Sequence, residues 1–330
     1  MRRLIRTLLT VVFVIAILAV AALLFGPRDP IHPDRPREVA VGTDVDAWLA
    51  AREAQVPGII PGAEKQVIWA GNPGEKTPVA IVYVHGFSAT LQEIRPVPDR
   101  LAAALGANLF YTRLTGHGLK DGTGMAEATP DRWLDDMAEA LAVGRAIGEK
   151  VIVIGTSTGG TLAALALASP AMAERVAGVI FVSPNFRVRA AGAELLALPF
   201  ARSFVPLITG PERCFEAGSE AHAKWWTMCY PAEALVPMGT AVKAANAIDF
   251  SSLKVPALFV FSPDDQVVDE SRTAEIAAQW GGKAEVFNVT PGPGDSPSAH
   301  VIAGDIRSPG LTDAVAAKMI EWSRSVLGGG

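Results

Sequence analysis

Cysteine, histidine and clustered positive charge are all scarce in this sequence. Only two cysteines and five histidines occur in 330 residues. No Cys/His cluster has the spacing of a zinc site, so no metal centre is expected. Basic residues do not gather outside Arg2, Arg3 and Arg6, and the formal net charge is -5. Without a basic field there is nothing to hold a nucleic-acid backbone, and nucleic-acid binding is excluded as a function class. Internal repeats and low-complexity blocks are also missing, which removes solenoids and disordered scaffolds. Half of the residues are apolar, enough for a sizeable core.

Only one long apolar run is present. The uncharged stretch from Thr7 to Gly26 follows the three arginines and has the ~20 residues that a bilayer-crossing helix needs. The positive-inside rule keeps the arginines cytoplasmic and places everything after Phe25 across the membrane, on a periplasmic or extracytoplasmic face. Two readings stay open, an uncleaved signal anchor and a signal peptide cut after Ala21 in the run Ala19-Val20-Ala21. Continuation of the apolar run through Leu23, Leu24 and Phe25 favours the anchor. In an oxidising compartment Cys214 and Cys229 form a disulfide, and two buried free thiols are the alternative.

Residues 1–26 are thus read as anchor or signal peptide, and 27–60 as a tether with a short N-terminal segment. The stretch Gly26 to Pro36, rich in Pro and charge, predicts an extended linker that lets the body stand off the bilayer. A helix is expected from Val45 to Gln55. Strand-like runs then alternate with helical patterns: strands at 79–84, 108–111, 151–154, 179–182, 257–261 and 285–289, helices at 91–105, 130–147, 159–168, 271–280 and 311–326. This alternation predicts an α/β fold with a mostly parallel central sheet covered on both faces. It breaks between about Pro184 and Phe250, which reads as an inserted cap (184–250) dividing the core into 61–183 and 251–330.

The sharpest motif is Gly155-Thr156-Ser157-Thr158-Gly159, between the apolar strand Val151 to Ile154 and a helical pattern. A serine hydroxyl must stand clear of the sheet and lose its proton to a base before it can attack, and a tight strand-to-helix turn exposes it. On these residues the sequence resembles the α/β-hydrolase superfamily, most closely its capped carboxylesterases and monoacylglycerol-lipase-like members, over about Gln66 to Val326. The resemblance extends to Tyr83-Val84-His85-Gly86-Phe87-Ser88, and implies that the backbone amides of Phe87 and Thr158 form an oxyanion hole. It also extends to Arg113-Leu114-Thr115-Gly116-His117-Gly118, read as a structural turn at the site mouth. In Ser262-Pro263-Asp264-Asp265-Gln266-Val267-Val268-Asp269 it selects Asp265 as the catalytic acid, with the adjacent Asp264 as the alternative.

The base follows from chain order. His32 lies in the tether, His85 and His117 precede the nucleophile, and His222 lies in the cap; only His300 comes after the acid and the last expected strand. The expected enzyme is a serine carboxylic-ester hydrolase acting on short- to medium-chain acyl esters through Ser157, His300 and Asp265, with no cofactor. Membrane-derived monoacylglycerols are an alternative substrate. A non-catalytic envelope binding or scaffold protein is the alternative of another class.

Overall fold

Apolar runs that do not alternate belong in the interior of a sheet, and here they occupy it. The computed structural model describes residues 2–328. In chain order the elements are α1 (Arg2–Phe25), α2 (Val45–Glu53), β1 (Gln66–Ile68), β2 (Thr77–Val84), α3 (Val97–Leu105), β3 (Asn108–Tyr111), α4 (Pro130–Ile147), β4 (Gly148–Thr156), α5 (Thr158–Leu167), α6 (Pro170–Ala173) and β5 (Val176–Val182). There follow α7 (Ala201–Thr209), β6 (Glu212–Cys214), α8 (Glu220–Trp225), β7 (Cys229–Pro231), α9 (Leu235–Ala245), β8 (Ala257–Phe261), α10 (Glu270–Gln279), β9 (Ala284–Asn288) and α11 (Pro309–Gly328).

The main sheet runs β1-β3-β2-β4-β5-β8-β9, parallel throughout except for β1, which pairs antiparallel with β3. Its two faces feed two separate apolar clusters. Along β2, Ala80, Val82 and Val84 enter one cluster and Val79, Ile81 and Tyr83 the other; along β4, Val151 and Val153 divide from Ile152 and Ile154 in the same way. Both parities of one strand are therefore dry, as a strand covered by helices on both sides requires. Helices α4, α5 and α10 cover the first face, α3 and α11 the second.

Three local expectations are revised. The helix expected from Leu91 begins at Val97, because Pro96 has no amide to donate and disfavours helical backbone at Arg95. The freed residues form turns, in one of which the Glu93 amide bonds Thr90 O. Strand β1 was not expected; three residues on an antiparallel edge are too few for a periodic signal. The segment after α1 is extended but does not stand free. His32 and Arg37 bond Asp131 at the start of α4, Arg35 and Arg37 pair with Asp135, and Arg202 of α7 holds Asp29 at 2.5 and 2.7 Å. Matched charges turn the linker into a strap against the body.

Between β5 and α9 the chain forms α7, α8 and a two-stranded ribbon in which Cys214 faces Cys229, and these two cysteines are joined as a disulfide. Helix α9 packs on α5 with Ala241 and Ala245 in the main core, so this last part of the 184–250 stretch joins the core through the helices.

Candidate active site

Ser157 sits where β4 stops and α5 starts, with φ 51° and ψ −114°. A non-glycine residue in this region is strained, and the surrounding hydrogen bonds hold it there. The Ser157 amide bonds Val182 O at 2.9 Å, and the Ser157 carbonyl accepts from Asn185 N at 3.0 Å. Room for the turn comes from glycine: a Cβ on Gly159 would lie 2.1 Å from Val84 O. The strain lifts the hydroxyl off the sheet while the positive end of α5 points at it.

The hydroxyl meets His300 from the far C-terminal loop. His300 Nε2 is 3.0 Å from Ser157 Oγ, and His300 Nδ1 is 2.8 Å from Asp265 Oδ2. The second carboxylate oxygen of Asp265 accepts the amides of Val267 and Val268 at 2.8 and 3.0 Å. Asp265 is 1% exposed, whereas Asp264 faces solvent; the structure thus separates the two aspartates. The loops carrying acid and imidazole are tied together by Gln266 N to Ser298 O at 2.9 Å. Burial works against protonation of His300, but the charge and hydrogen bond of Asp265, aided by Glu93, outweigh it, so the imidazole is held above its ordinary value.

Across from the imidazole lies the turn after β2. A Cβ on Gly86 would stand 3.1 Å from Ser157 Cβ, so this turn approaches the serine directly. Among the described residues neither the Phe87 nor the Thr158 amide has an acceptor, leaving both free for an oxygen that gains charge. His85 is locked by its neighbours: Nδ1–H donates to Gly86 O at 2.8 Å and Nε2 accepts Leu114 N–H at 3.0 Å. Burial and the nearby His117 keep it neutral, well below its ordinary value. His117 packs between Phe87 and Trp133, each at a ring distance of 5.8 Å, and burial pushes its value down to about 4. Both histidines shape the turn and neither reaches the hydroxyl.

Two groups that sequence reasoning missed complete the surroundings. Glu93, buried, accepts the Gly86 amide at 2.7 Å and the Tyr83 hydroxyl at 2.9 Å on one oxygen. The β6–β7 ribbon lies over the turn: Thr227 N bonds Ser88 O at 2.8 Å, and the Tyr230 ring meets Phe87 edge-on at 5.1 Å. A cleft of about 510 Å³ beside the ribbon is lined by Trp226, Tyr230, Leu119, Asp121 and Glu212 among others, but not by Ser157 or His300. These two are 6% and 8% exposed.

A search by sequence against curated proteins gives no match. Solved structures share the fold at low identity. One of two metagenome-derived lipolytic enzymes, LipS and LipT, is 21% identical, with 81% of this chain and 99% of that one covered at a TM-score of 0.63. A soluble variant of the monoglyceride lipase of Saccharomyces cerevisiae is 12% identical, with 80% and 91% covered at 0.58. The monoacylglycerol lipase of Paleococcus ferrophilus is 14% identical, with 79% and 98% covered at 0.57. The model of one family, described as serine aminopeptidase S33, matches residues 75–293. That span takes in the turn after β2, the strained serine and the acid loop, and the chain therefore belongs to the serine aminopeptidase S33 family, on an α/β-hydrolase fold.

Proposed function

We propose that this chain is an exported, membrane-anchored carboxylic-ester hydrolase that works through an acyl-enzyme on Ser157. The observation that carries the reading is the unbroken relay from Ser157 Oγ through both nitrogens of His300 to Asp265, at 3.0 and 2.8 Å. As Ser157 Oγ bonds the ester carbonyl carbon, its proton passes to His300 Nε2, and Asp265 stabilises the imidazolium that forms. The carbonyl oxygen takes the charge and is held by the Phe87 and Thr158 amides. Collapse expels the alcohol, which takes the proton from His300. A water then repeats the sequence on the acyl-enzyme, releasing the acid and restoring the serine.

Ester rather than nucleic-acid or sugar chemistry is supported by the apolar, aromatic surroundings of the turn, with Phe87, Tyr230 and Trp133 in one cluster. Ser157 is 6% exposed, and in this reading the ribbon packed on Phe87 and Ser88 moves to admit substrate. Anchoring is supported by α1, none of whose residues is buried and which is long enough to span a bilayer. Short- to medium-chain esters are the preferred substrates in this reading. Monoacylglycerols are a second class, favoured by the anchor and by the monoglyceride lipases among the similar structures.

The full-length protein in nanodiscs is assayed on p-nitrophenyl esters from acetate to palmitate and on aminoacyl-p-nitroanilides, the latter because the family is described as an aminopeptidase. Ester hydrolysis that disappears in Ser157→Ala is the expected result. Faster anilide cleavage would replace the ester reading by a peptide one. Equal ester rates in both proteins, with no fluorophosphonate labelling of Ser157, would leave a binding or scaffold protein.

A further inference from the structure

Helix α7 shows its apolar side to solvent. Ala201 and Val205 are buried, but Phe200, Leu207 and Ile208 are 43%, 85% and 69% exposed. Phe200 caps the helix with left-handed backbone and Leu207 and Ile208 are adjacent near its far end, so both ends of α7 carry large exposed apolar side chains. Single exposed apolar residues are ordinary, but three large ones strung along one short helix and its cap form a stripe that something covers.

The covering agent is indicated by what lies at the start of the stripe. The chain leaves α1 at Gly26, and a Cβ there would stand 2.4 Å from Phe200 Cε2 and 2.7 Å from Pro199 Cβ. The next residue, Pro27, accepts the Phe200 amide at 2.7 Å. Arg202 then clamps Asp29 at 2.5 and 2.7 Å and donates to the carbonyls of Ala126 and Ala128 at 2.6 and 2.7 Å. The first residue of the stripe thus touches the point where the apolar helix ends. With a rise of ~1.5 Å per residue, Leu207 and Ile208 lie only about 10–12 Å further along α7.

We infer that the Phe200–Leu207–Ile208 face of α7 is seated in the interfacial layer of the bilayer that α1 crosses. This rests on the reading of α1 as an uncleaved anchor. An amphipathic helix lying in the interface buries its apolar face roughly 5–10 Å into the headgroup and acyl boundary, which suits side chains beginning at the helix exit. The strap from Pro27 to Arg37 is the clamp that keeps α7 at that depth. The β6–β7 ribbon, which starts three residues after α7 ends, is consequently the part of the site nearest the lipid.

The test uses the full-length chain in phosphatidylcholine/phosphatidylglycerol nanodiscs. Its two cysteines are paired with each other, so one introduced cysteine at a time takes a nitroxide label: Val14→Cys in α1, Ile208→Cys in α7, and Asp313→Cys, whose side chain is 89% exposed on α11. Collision accessibility to oxygen and to a water-soluble nickel chelate reports depth, and a thermal melt of each variant reports folding. The expected result is a label at 14 deep in the hydrocarbon, one at 208 richer in oxygen than nickel contact, and one at 313 in water. A label at 208 as nickel-accessible as that at 313, with the label at 14 still deep, overturns the inference and leaves the anchor intact. Nickel access at 14 overturns the anchor reading and the inference with it.

Discussion

The Gly86 amide donates to Glu93 Oε2 at 2.7 Å in a spot closed to water. Gly86 immediately precedes Phe87, so the carboxylate fixes the peptide plane next to the one from which the Phe87 amide projects. Glu93→Gln keeps an oxygen for Gly86 N–H and for the Tyr83 hydroxyl, and kcat is expected to stay within about threefold of wild type. Glu93→Ala leaves both donors unpaired and the turn slack. Its kcat is expected to fall about tenfold or more, short of the 10²–10³ that follows outright loss of an oxyanion donor, with KM little changed. Steady-state kinetics on a soluble ester separate these outcomes; equal kcat in all three proteins would remove Glu93 from the positioning of the turn.

The same carboxyl makes a pH prediction whose sign is fixed. Burial, partly offset by the Gly86 and Tyr83 donors, raises Glu93 from 4.5 to about 7. Between those values the folded protein keeps a proton that the unfolded chain has released, so this group makes stability fall as pH rises from about 4.5 to 7. Glu93→Gln cannot ionise, and its stability relative to wild type should grow across that window in urea titrations. For the reaction, His300 must be neutral to accept the serine proton. The acid limb of kcat/KM is expected above 6.5, the ordinary imidazole value, with rate rising as pH rises. Removing the Glu93 charge favours the imidazolium less, and the limb should move to lower pH in Glu93→Gln.

Asp265 and Asp264 are neighbours in sequence but not in environment. Asp265→Asn keeps the shape of the site yet presents the wrong partner to His300 Nδ1–H, and kcat should fall by about 10⁴. Asp264→Asn changes a solvent-facing group and should leave kcat within about twofold. Parity of the two variants in a p-nitrophenyl ester assay would contradict the assignment.

Much of this arrangement was legible because it is written in local pattern. The non-alternating run Val151 to Ile154 announces a strand dry on both faces, and the Gly-x-Ser-x-Gly that follows announces the turn; both need only neighbouring residues. The pairing of Ser157 with His300 was readable through chain order alone. Glu93 was not, since a glutamate inside an expected helix reads as a solvated face, and only the prolines at 96 and 98 hint that the helix starts later. Tyr230 and Thr227 were equally silent, because their contacts with Phe87 and Ser88 depend on how the cap folds back over the sheet. The docking of the strap was hidden too: Arg35, Arg37, Asp131 and Asp135 carry no local sign that they pair at a distance of about a hundred positions.

Gly159 tests how tightly the elbow is built. Its α-carbon faces Val84 O and His85 O, which a Cβ would approach to 2.1 and 2.8 Å. Neither atom can yield without moving β2 or the turn that carries Phe87. Gly159→Ala should cost more than about 3 kcal/mol, among the larger single-substitution effects, and should lower ester turnover even in the fraction that remains folded. Thr161→Ser, two residues further along α5 and able to keep its bond to Asn185 O, should lose less than about 1.5 kcal/mol. A chemical denaturation series decides, and a Gly159→Ala protein as stable as Thr161→Ser would contradict the close packing.

The ribbon over the site depends on its crosslink. Cys214 and Cys229 face each other with a sequence separation of 15, and closing a loop of that size stabilises by about 3 kcal/mol in the chain-entropy account. The ribbon strands are three residues each, too short to persist by themselves in water. Their inner contacts are the Thr227–Ser88 hydrogen bond and the Tyr230–Phe87 ring pair, which press on the turn bearing the Phe87 amide. The main core lies on the sheet and is untouched by the crosslink. In Cys214→Ser/Cys229→Ser the ribbon should therefore loosen before the body unfolds. Hydrogen exchange should rise first in residues 212–231 and then at Phe87 and Ser88, while β4 and β5 stay protected. Ester turnover should change through a higher KM as the cover over Ser157 opens more freely and holds substrate less well. Unchanged exchange at Phe87 and Ser88 in the double variant would mean that the turn keeps its shape without the ribbon, and that Glu93 and His85 alone hold it.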